Sequence, residues 1–236
     1  MKPRTAPSPA DSLRTVTEEV IACRRCPRLV EYRERVARER KKAFRDETYW
    51  GRPVPGFGDP KARLVVIGLA PAAHGSNRTG RVFTGDRSAA FLVRALFRAG
   101  FANQPTSDHR GDGLRYQDAY VTAGVRCVPP DNRPLPLERD RCAPYLDREL
   151  RLLSRARGLL ALGGFAWEAT LDGASRAFGT PRPTVEFRHA ACAPLGPGKP
   201  IVWGSYHPSP QNTNTGKLTE AMFSDLLRSI RASWGG

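Results

Sequence analysis

Residues 63–68 read RLVVIG and run without a break into GLAPAAHGSNRTGRVFTGD, residues 68–86. The first stretch is apolar and closed by a glycine, the pattern of a short strand buried on both faces. Directly after the polar loop, Ser88–Ala99 places Phe91, Leu92, Ala95, Leu96 and Ala99 on one helical face, and Gly100 ends it. Working outward, DAYVTAGVR (118–126), GLLALG (158–163) and PIVWGSY (200–206) read as three more strands. Leu137–Arg155, Gly164–Leu171 and Lys217–Ser233 read as helices between and after them. Such alternation predicts an α/β fold: a three-layer α/β/α sandwich with a central four-stranded, mainly parallel sheet. There is no internal repeat. The loops at 101–117 and 174–199 are long but do not read as linkers, so one domain is expected over 1–236. A basic helical segment, about 11–48, is joined to it.

The chain has 236 residues and a formal charge of +15. That length buries enough surface to fold without disulfides. A hydrophobic content of 40%, with four Trp and ten Phe, argues against disorder. The longest apolar run, Leu64–Ala73, is far short of the roughly 20 residues a spanning helix needs, so no membrane is expected. Met1–Ser12 is polar and proline-dotted, without the apolar core of a secretion signal. A soluble, cytoplasmic, monomeric protein is the expectation. From Arg24 to Arg45, ten basic residues face only Glu31, Glu34 and Glu39. A patch of that density binds nucleic acid through counterion release, although anionic lipid or polyphosphate would suit it too. As a solvated helix face it would carry Glu31–Arg35 and Glu34–Arg38 as i,i+4 pairs.

Cys23 and Cys26 form a C-x-x-C pair, and Cys127 and Cys142 lie fifteen positions apart about a hundred residues later. Four cysteines in two pairs in a cytoplasmic chain point to metal ligation more than to disulfides. Spacing alone leaves an iron–sulfur cluster, zinc and unrelated thiols all open. Cys192 reads as a small buried apolar residue.

Open α/β sheets bind ligands beyond the carboxyl ends of their strands. Here those loops are 68–86, RCVPPDNRP (126–134) and HPSPQNTNTG (207–216), which bring many amide, imidazole and carboxylate groups to one rim. Other site patterns are absent. No G-x-x-x-x-G-K-[ST], no G-x-G-x-x-G after a strand, no H-x-E with P-C-x-x-C and no G-x-S-x-G occurs.

These loops resemble the uracil-DNA glycosylase superfamily, specifically its iron–sulfur family 5 (type-5) branch. The resemblance rests on GLAPAAHG followed by NRTGR and FTGD, on HPSPQNTNTGKL after an apolar strand, and on the two cysteine pairs. It runs from about Cys23 to about Leu227. It implies the three-layer fold already read from the pattern, a [4Fe–4S] cluster on Cys23, Cys26, Cys127 and Cys142, and DNA containing uracil as partner. It also implies base excision repair: hydrolysis of the N-glycosidic bond of uracil, with hypoxanthine and xanthine as further deaminated substrates, to leave an abasic site.

Two departures stand out. Most of the superfamily carries a carboxylate or amide in the first loop, where this chain has Ala72-Ala73, itself a mark of family 5. Related families place an asparagine where this chain has Ala123. The expectation is therefore that Asp86 positions the attacking water, unless it only caps the following helix. His207 donates to the departing base, and Phe83 stacks on it. Asn132 reads its edge or merely makes a turn, while Ala72, Ala73 and His74 line the first loop against the substrate. Asn77, Arg78, Ser209, Asn212 and Asn214 are expected at the DNA. His109 and His189 have no constellation around them. The rival is a non-catalytic iron–sulfur DNA-binding relative, which the alanines favour; a redox protein lacks a flavin or nicotinamide motif.

Overall fold

The computed structural model describes residues 11–235, so most of the proline-dotted Met1–Ser12 segment lies outside the described residues. In chain order the helices and strands are α1 (Leu13–Ala22), α2 (Pro27–Glu39), β1 (Phe57–Gly58), β2 (Leu64–Gly68), α3 (Ser76–Thr79) and α4 (Arg87–Arg98). Then come β3 (Ala119–Ala123), α5 (Pro136–Leu152), β4 (Gly158–Leu162), α6 (Gly164–Phe178), β5 (Cys192–Pro194), β6 (Ile201–Ser205), α7 (Pro210–Thr213) and α8 (Glu220–Ala232). Short 3₁₀ turns cover Lys42–Phe44 and Pro130–Asn132.

The sheet has six strands, in the order β1-β3-β2-β4-β6-β5, rather than the four expected. The four expected strands are its parallel centre. The two additions are antiparallel edges of two and three residues, too short to show a period in sequence. One of them, β5, lies inside the presumed loop 174–199 and carries Cys192, whose side chain is exposed rather than buried. The same presumed loop loses its first residues to α6, which continues to Phe178.

Alternation along β2 divides the core. Leu64 and Val66 face one layer with Leu92 and Leu96 of α4 and Phe223, Leu227 and Ile230 of α8. Val65 and Ile67 face the other, with Leu146 and Leu150 of α5 and Trp167 and Leu171 of α6. This is the α/β/α sandwich. Register sets Gly68 beside Ala123, and Leu162 beside Ser205. All four central strands therefore end on one edge of the sheet, and the loops carrying the candidate site leave from that edge.

The basic N-terminal helices sit against α5 rather than floating free. Val16 and Val20 of α1 pack with Tyr145. Arg148 reaches back to Asp11 and Glu19. Glu31–Arg35 approaches to 3.9 Å as expected, but Glu34 pairs with Arg24 rather than Arg38. Arg33 is only 2% exposed and belongs to the interior, not to a solvated patch.

Candidate active site

At the carboxyl edge lies a cavity of about 350 Å³ whose walls include Ala70, Ala72, Phe83, Asp86, Asn132, His207 and Ser209. A broader groove of about 1020 Å³ shares Ala72, Asp86 and Asn132 with it and extends past Ala73, His74, Arg78, Arg87 and Lys41. A small chamber opening into a wide groove, whose lining mixes Lys41 and Arg87 with Glu47 and Asp108, suits a single group extruded from a long polymer.

Two glycines shape the chamber. A Cβ on Gly68 would stand 2.7 Å from the Phe83 ring, and one on Gly75 would stand 2.0 Å from Asp86 Oδ2. Asp86 does cap α4, its Oδ1 accepting from the Ala89 N–H at 2.9 Å. Capping uses one oxygen, and Asp86 still lines both cavities. Burial pushes its carboxyl above the usual value, against the pull of the Ala89 and Ser88 N–H groups and Arg78. The group is thus poised closer to neutrality than a surface aspartate.

His207 follows β6, with its ring centroid 6.1 Å from that of Phe83 and tilted by 31°. Its imidazole makes no hydrogen bond to any described residue, and burial lowers its pKa to about 4. It is therefore neutral at physiological pH, holding one N–H to donate. Asn212 does not extend outward: its Nδ2 donates to the His207 carbonyl at 2.8 Å and fixes that loop.

Phe83 has φ +46°, in the left-handed region that bulky residues avoid. The strain is held by a buried lattice that the sequence did not disclose. Arg81 makes a bidentate pair with Asp112, 2.9 and 2.7 Å, and also reaches Thr84 and Ser107. Ser107 in turn donates to the Phe83 carbonyl at 3.0 Å. For Asp112, burial works against ionisation, but Arg81 and the N–H groups of Leu114 and Asp108 outweigh it and hold the carboxyl well below its usual range. The supposedly plain loop 101–117 is the brace of the chamber.

The other expected residues divide. His74 and Ala73 line only the outer groove, with His74 Nδ1 3.1 Å from the Tyr49 hydroxyl. Burial, Lys41 and Arg78 lower its pKa. Asn132 is exposed on the rim at φ +56°, following Asp131 at φ +53°. Asn214 is exposed and accepts from Arg87. Two residues expected at the DNA are turned inward. Asn77 is 1% exposed, its amide turned to the Arg33 carbonyl. Arg78 is 8% exposed and donates to the carbonyls of His74 and Gly85, with a third contact to Glu47. The short helix α3 turns both inward, where they fasten the loop.

Cys26, Cys127 and Cys142 are buried together with Leu29 and Val125, and Cys23 is half-buried at the end of α1. The four thiols come from α1, α2, the loop after β3 and α5. Each of the three buried ones lies within electrostatic reach of another member of the set. Burial raises the Cys127 and Cys142 thiols to about 12 and about 11. Arg33 donates to Cys127 Sγ at 3.0 Å, a contact that favours thiolate. The soft all-sulfur donor set fits an iron–sulfur cluster. Among the described residues no three His, Cys, Asp or Glu side chains stand close enough to hold a single ion. Behind the set, Arg126 and Glu149, each 1% exposed, form a buried ion pair that also takes in Thr122.

Residues 55–231 match the family model of the uracil DNA glycosylase superfamily. The type-5 uracil-DNA glycosylase of Mycobacterium tuberculosis is 50% identical over 223 residues, covering 94% of this chain and 82% of that protein. That of Thermus thermophilus is 52% identical over 210 residues, covering 89% and 93%. A type-4 uracil-DNA glycosylase of Archaeoglobus fulgidus is 29% identical over 157 residues, covering 66% and 62%.

Proposed function

The chain belongs to the uracil-DNA glycosylase superfamily, in its type-5 branch, and from that premise we propose how its own residues carry out the reaction. It is a DNA repair hydrolase that cleaves the N-glycosidic bond of uracil in DNA. The observation carrying the mechanism is one cavity that holds Asp86, His207 and Phe83 together.

The target nucleotide leaves the stack and its base enters the chamber, where Phe83 offers a π-face worth about 1–3 kcal/mol. Neutral His207 donates to the carbonyl oxygen that gains charge as the C1′–N bond breaks. A fixed donor of this kind is typically worth about 2.7–4 kcal/mol. Asp86 supports the cationic sugar and orients water toward C1′ with the oxygen not engaged by α4. Asn132 meets the base edge from the rim, and Ser209 and Asn214 flank the entering strand. Ala70 and Ala72 leave one wall shallow, which supports hypoxanthine and xanthine as further substrates.

A [4Fe–4S] cluster would be held by Cys23, Cys26, Cys127 and Cys142, supplying cross-links between the basic helices and the β3 loop. No electron is needed for hydrolysis, and no catalytic step is assigned to it. We read 1–236 as one domain acting as a cytoplasmic monomer; no helix among the described residues is long and apolar enough to cross a membrane.

The deciding experiment is excision from a labelled duplex with one uracil opposite guanine, with alkaline cleavage of abasic sites. Hypoxanthine, xanthine and undamaged duplexes run beside it. Cleavage at uracil alone would remove the wider substrate range. No cleavage by folded, brown-coloured protein would overturn the assigned chemistry.

A further inference from the structure

Six residues of the segment 69–83 line the chamber: Leu69, Ala70, Ala72, Ser76, Val82 and Phe83. Ser76 alone among them carries a polar side chain. It is 3% exposed, yet its hydroxyl opens on the cavity and makes no hydrogen bond to any described residue. The other side chains of α3 are turned to the protein. The Asn77 amide goes to the Arg33 carbonyl, the Arg78 guanidinium to Glu47 and two carbonyls, and the Thr79 hydroxyl to the Gly75 carbonyl. A hydroxyl almost wholly withdrawn from bulk water costs free energy unless a ligand or a held water meets it. The fold sets this one beside Asp86. The Asn77 N–H donates to the Ala72 carbonyl at 3.0 Å and closes the turn 72–77 over the chamber wall. Asp86 Oδ1 is held by the Ala89 N–H. Asp86 Oδ2 presses on Gly75, the residue before Ser76, so closely that a Cβ there would stand 2.0 Å from it.

A water that donates to one carboxylate oxygen still swings about that bond. A second acceptor takes its other O–H and turns a lone pair in one fixed direction, the orientation on which rate depends. Resting on the glycosylase reading above, we propose that Ser76 is a further catalytic residue, its Oγ sharing the attacking water with Asp86 Oδ2. The water donates one O–H to Asp86 and the other to Ser76, and a lone pair faces C1′. As the C1′–N bond breaks, the base leaves with the bonding pair. The water oxygen bonds to C1′ and its proton passes to Asp86, while Ser76 keeps its own. Ala70 and Ala72 offer no rival group on this wall. The chamber's other two hydroxyls, on Ser88 and Ser209, belong to half-buried residues that bulk water can serve.

The test uses the whole protein carrying Ser76→Ala, alone and together with Asp86→Asn. The hydroxyl bonds to no described residue, so the melting temperature should match the parent. Affinity for a duplex containing the uncleavable 2′-fluoro-2′-deoxyuridine should be unchanged. Single-turnover excision should fall about tenfold, the size of one lost hydrogen bond. The factor should be the same for every base the parent removes, because the water is common to all. On top of Asp86→Asn, Ser76→Ala should cost little more, since both groups hold one molecule. Methanol gives the sharpest readout. It has one O–H and cannot satisfy both acceptors. In aqueous methanol the parent should form little methyl glycoside, detected by the mass of the product strand, and Ser76→Ala several times more. Should the variant melt early, this partition still decides, because folding does not set it. No loss of excision, a loss confined to one base, or an unchanged methanol partition overturns the shared water. Failure of the parent protein to excise uracil would instead overturn the glycosylase reading.

Discussion

The chamber and its brace both take carboxylates out of water, and they do so with opposite results. Asp86 in the chamber keeps only N–H groups of the α4 first turn and a more distant Arg78, and its pKa rises. Asp112 in the brace receives both arms of Arg81, and its pKa falls. His207 follows the chamber pattern: half-buried, without a partner for its ring, and lowered to about 4. A buried ionisable group whose partners are incomplete stays available to a substrate. One whose partners are complete acts as a fastener. The two aspartates lie in loops that touch through Ser107 and Phe83, but Asp86 lies deeper and lacks a side-chain partner, and both features push its carboxyl up where Arg81 pulls that of Asp112 down.

The largest effects should come from Asp86→Asn and His207→Ala. Asparagine caps helices as well as aspartate does, so Asp86→Asn tests the charge and leaves the cap. Excision should fall about 10²–10⁴-fold for Asp86→Asn and about 10²–10³-fold for His207→Ala, in single-turnover assays, with duplex affinity little changed. Because the folded pKa of Asp86 lies above its unfolded value, its ionised form weakens the fold at neutral pH. The melting temperature of Asp86→Asn should therefore hold or rise. On the acid side, kcat/KM should drop through a value above the ordinary carboxylate range, with no inflection near 6.5, since His207 is already neutral there. Retention of full excision by Asp86→Asn would reduce Asp86 to a helix cap.

Asp112→Asn should do the reverse. Leaving Arg81 buried with half a partner costs about 3–5 kcal/mol in comparable cases, read from urea unfolding. The parent's Asp112 is depressed, so its contribution is present above the ordinary carboxylate value and is lost as pH falls toward the depressed one. The variant should lose that acid-side slope. Excision by whatever remains folded should fall less than with Asp86→Asn, and a loss of the same size would erase the distinction between chamber and brace.

How much of this was readable beforehand follows from the range of each signal. The central strands and the helices α4, α5 and α8 are long enough to show their apolar period, and the residues at strand ends follow from register. Phe83, Asp86, Asn132 and His207 could be named because each lies in a loop leaving a central strand. The Arg81–Asp112 pair could not, since thirty-one positions separate its members and only the fold brings them together. Asn77 and Arg78 misled because a polar residue in a polar loop reads as exposed, whereas α3 points both inward. The edge strand β5 hid in a glycine- and proline-rich loop for lack of length, and Cys192 with it.

The thiol region offers an intermediate case. With the cluster proposed above in place, it would fasten like the brace, but through sulfur. Cys26→Ser should lower melting temperature and duplex affinity together, because the same residue anchors α2 and the basic surface it presents. Intact folding and affinity with excision lost would mean that the sulfur set serves the chemistry after all.

The smallest expected effect divides the basic stretch itself. Arg33 and Lys41 lie eight positions apart, and composition treats them alike. Arg33 is buried and gives its donors to Cys127 Sγ and the Cys23 carbonyl; Lys41 is exposed on the outer groove. Only the second can displace counterions from a phosphate. Lys41→Gln should leave the melting temperature unchanged and weaken duplex binding alike for damaged and undamaged DNA. It should also reduce the magnitude of the slope of log K against log[salt] by about 0.9, the value for one phosphate. An unchanged slope would take Lys41 off the DNA path and leave Arg87 as the exposed arginine of the outer groove.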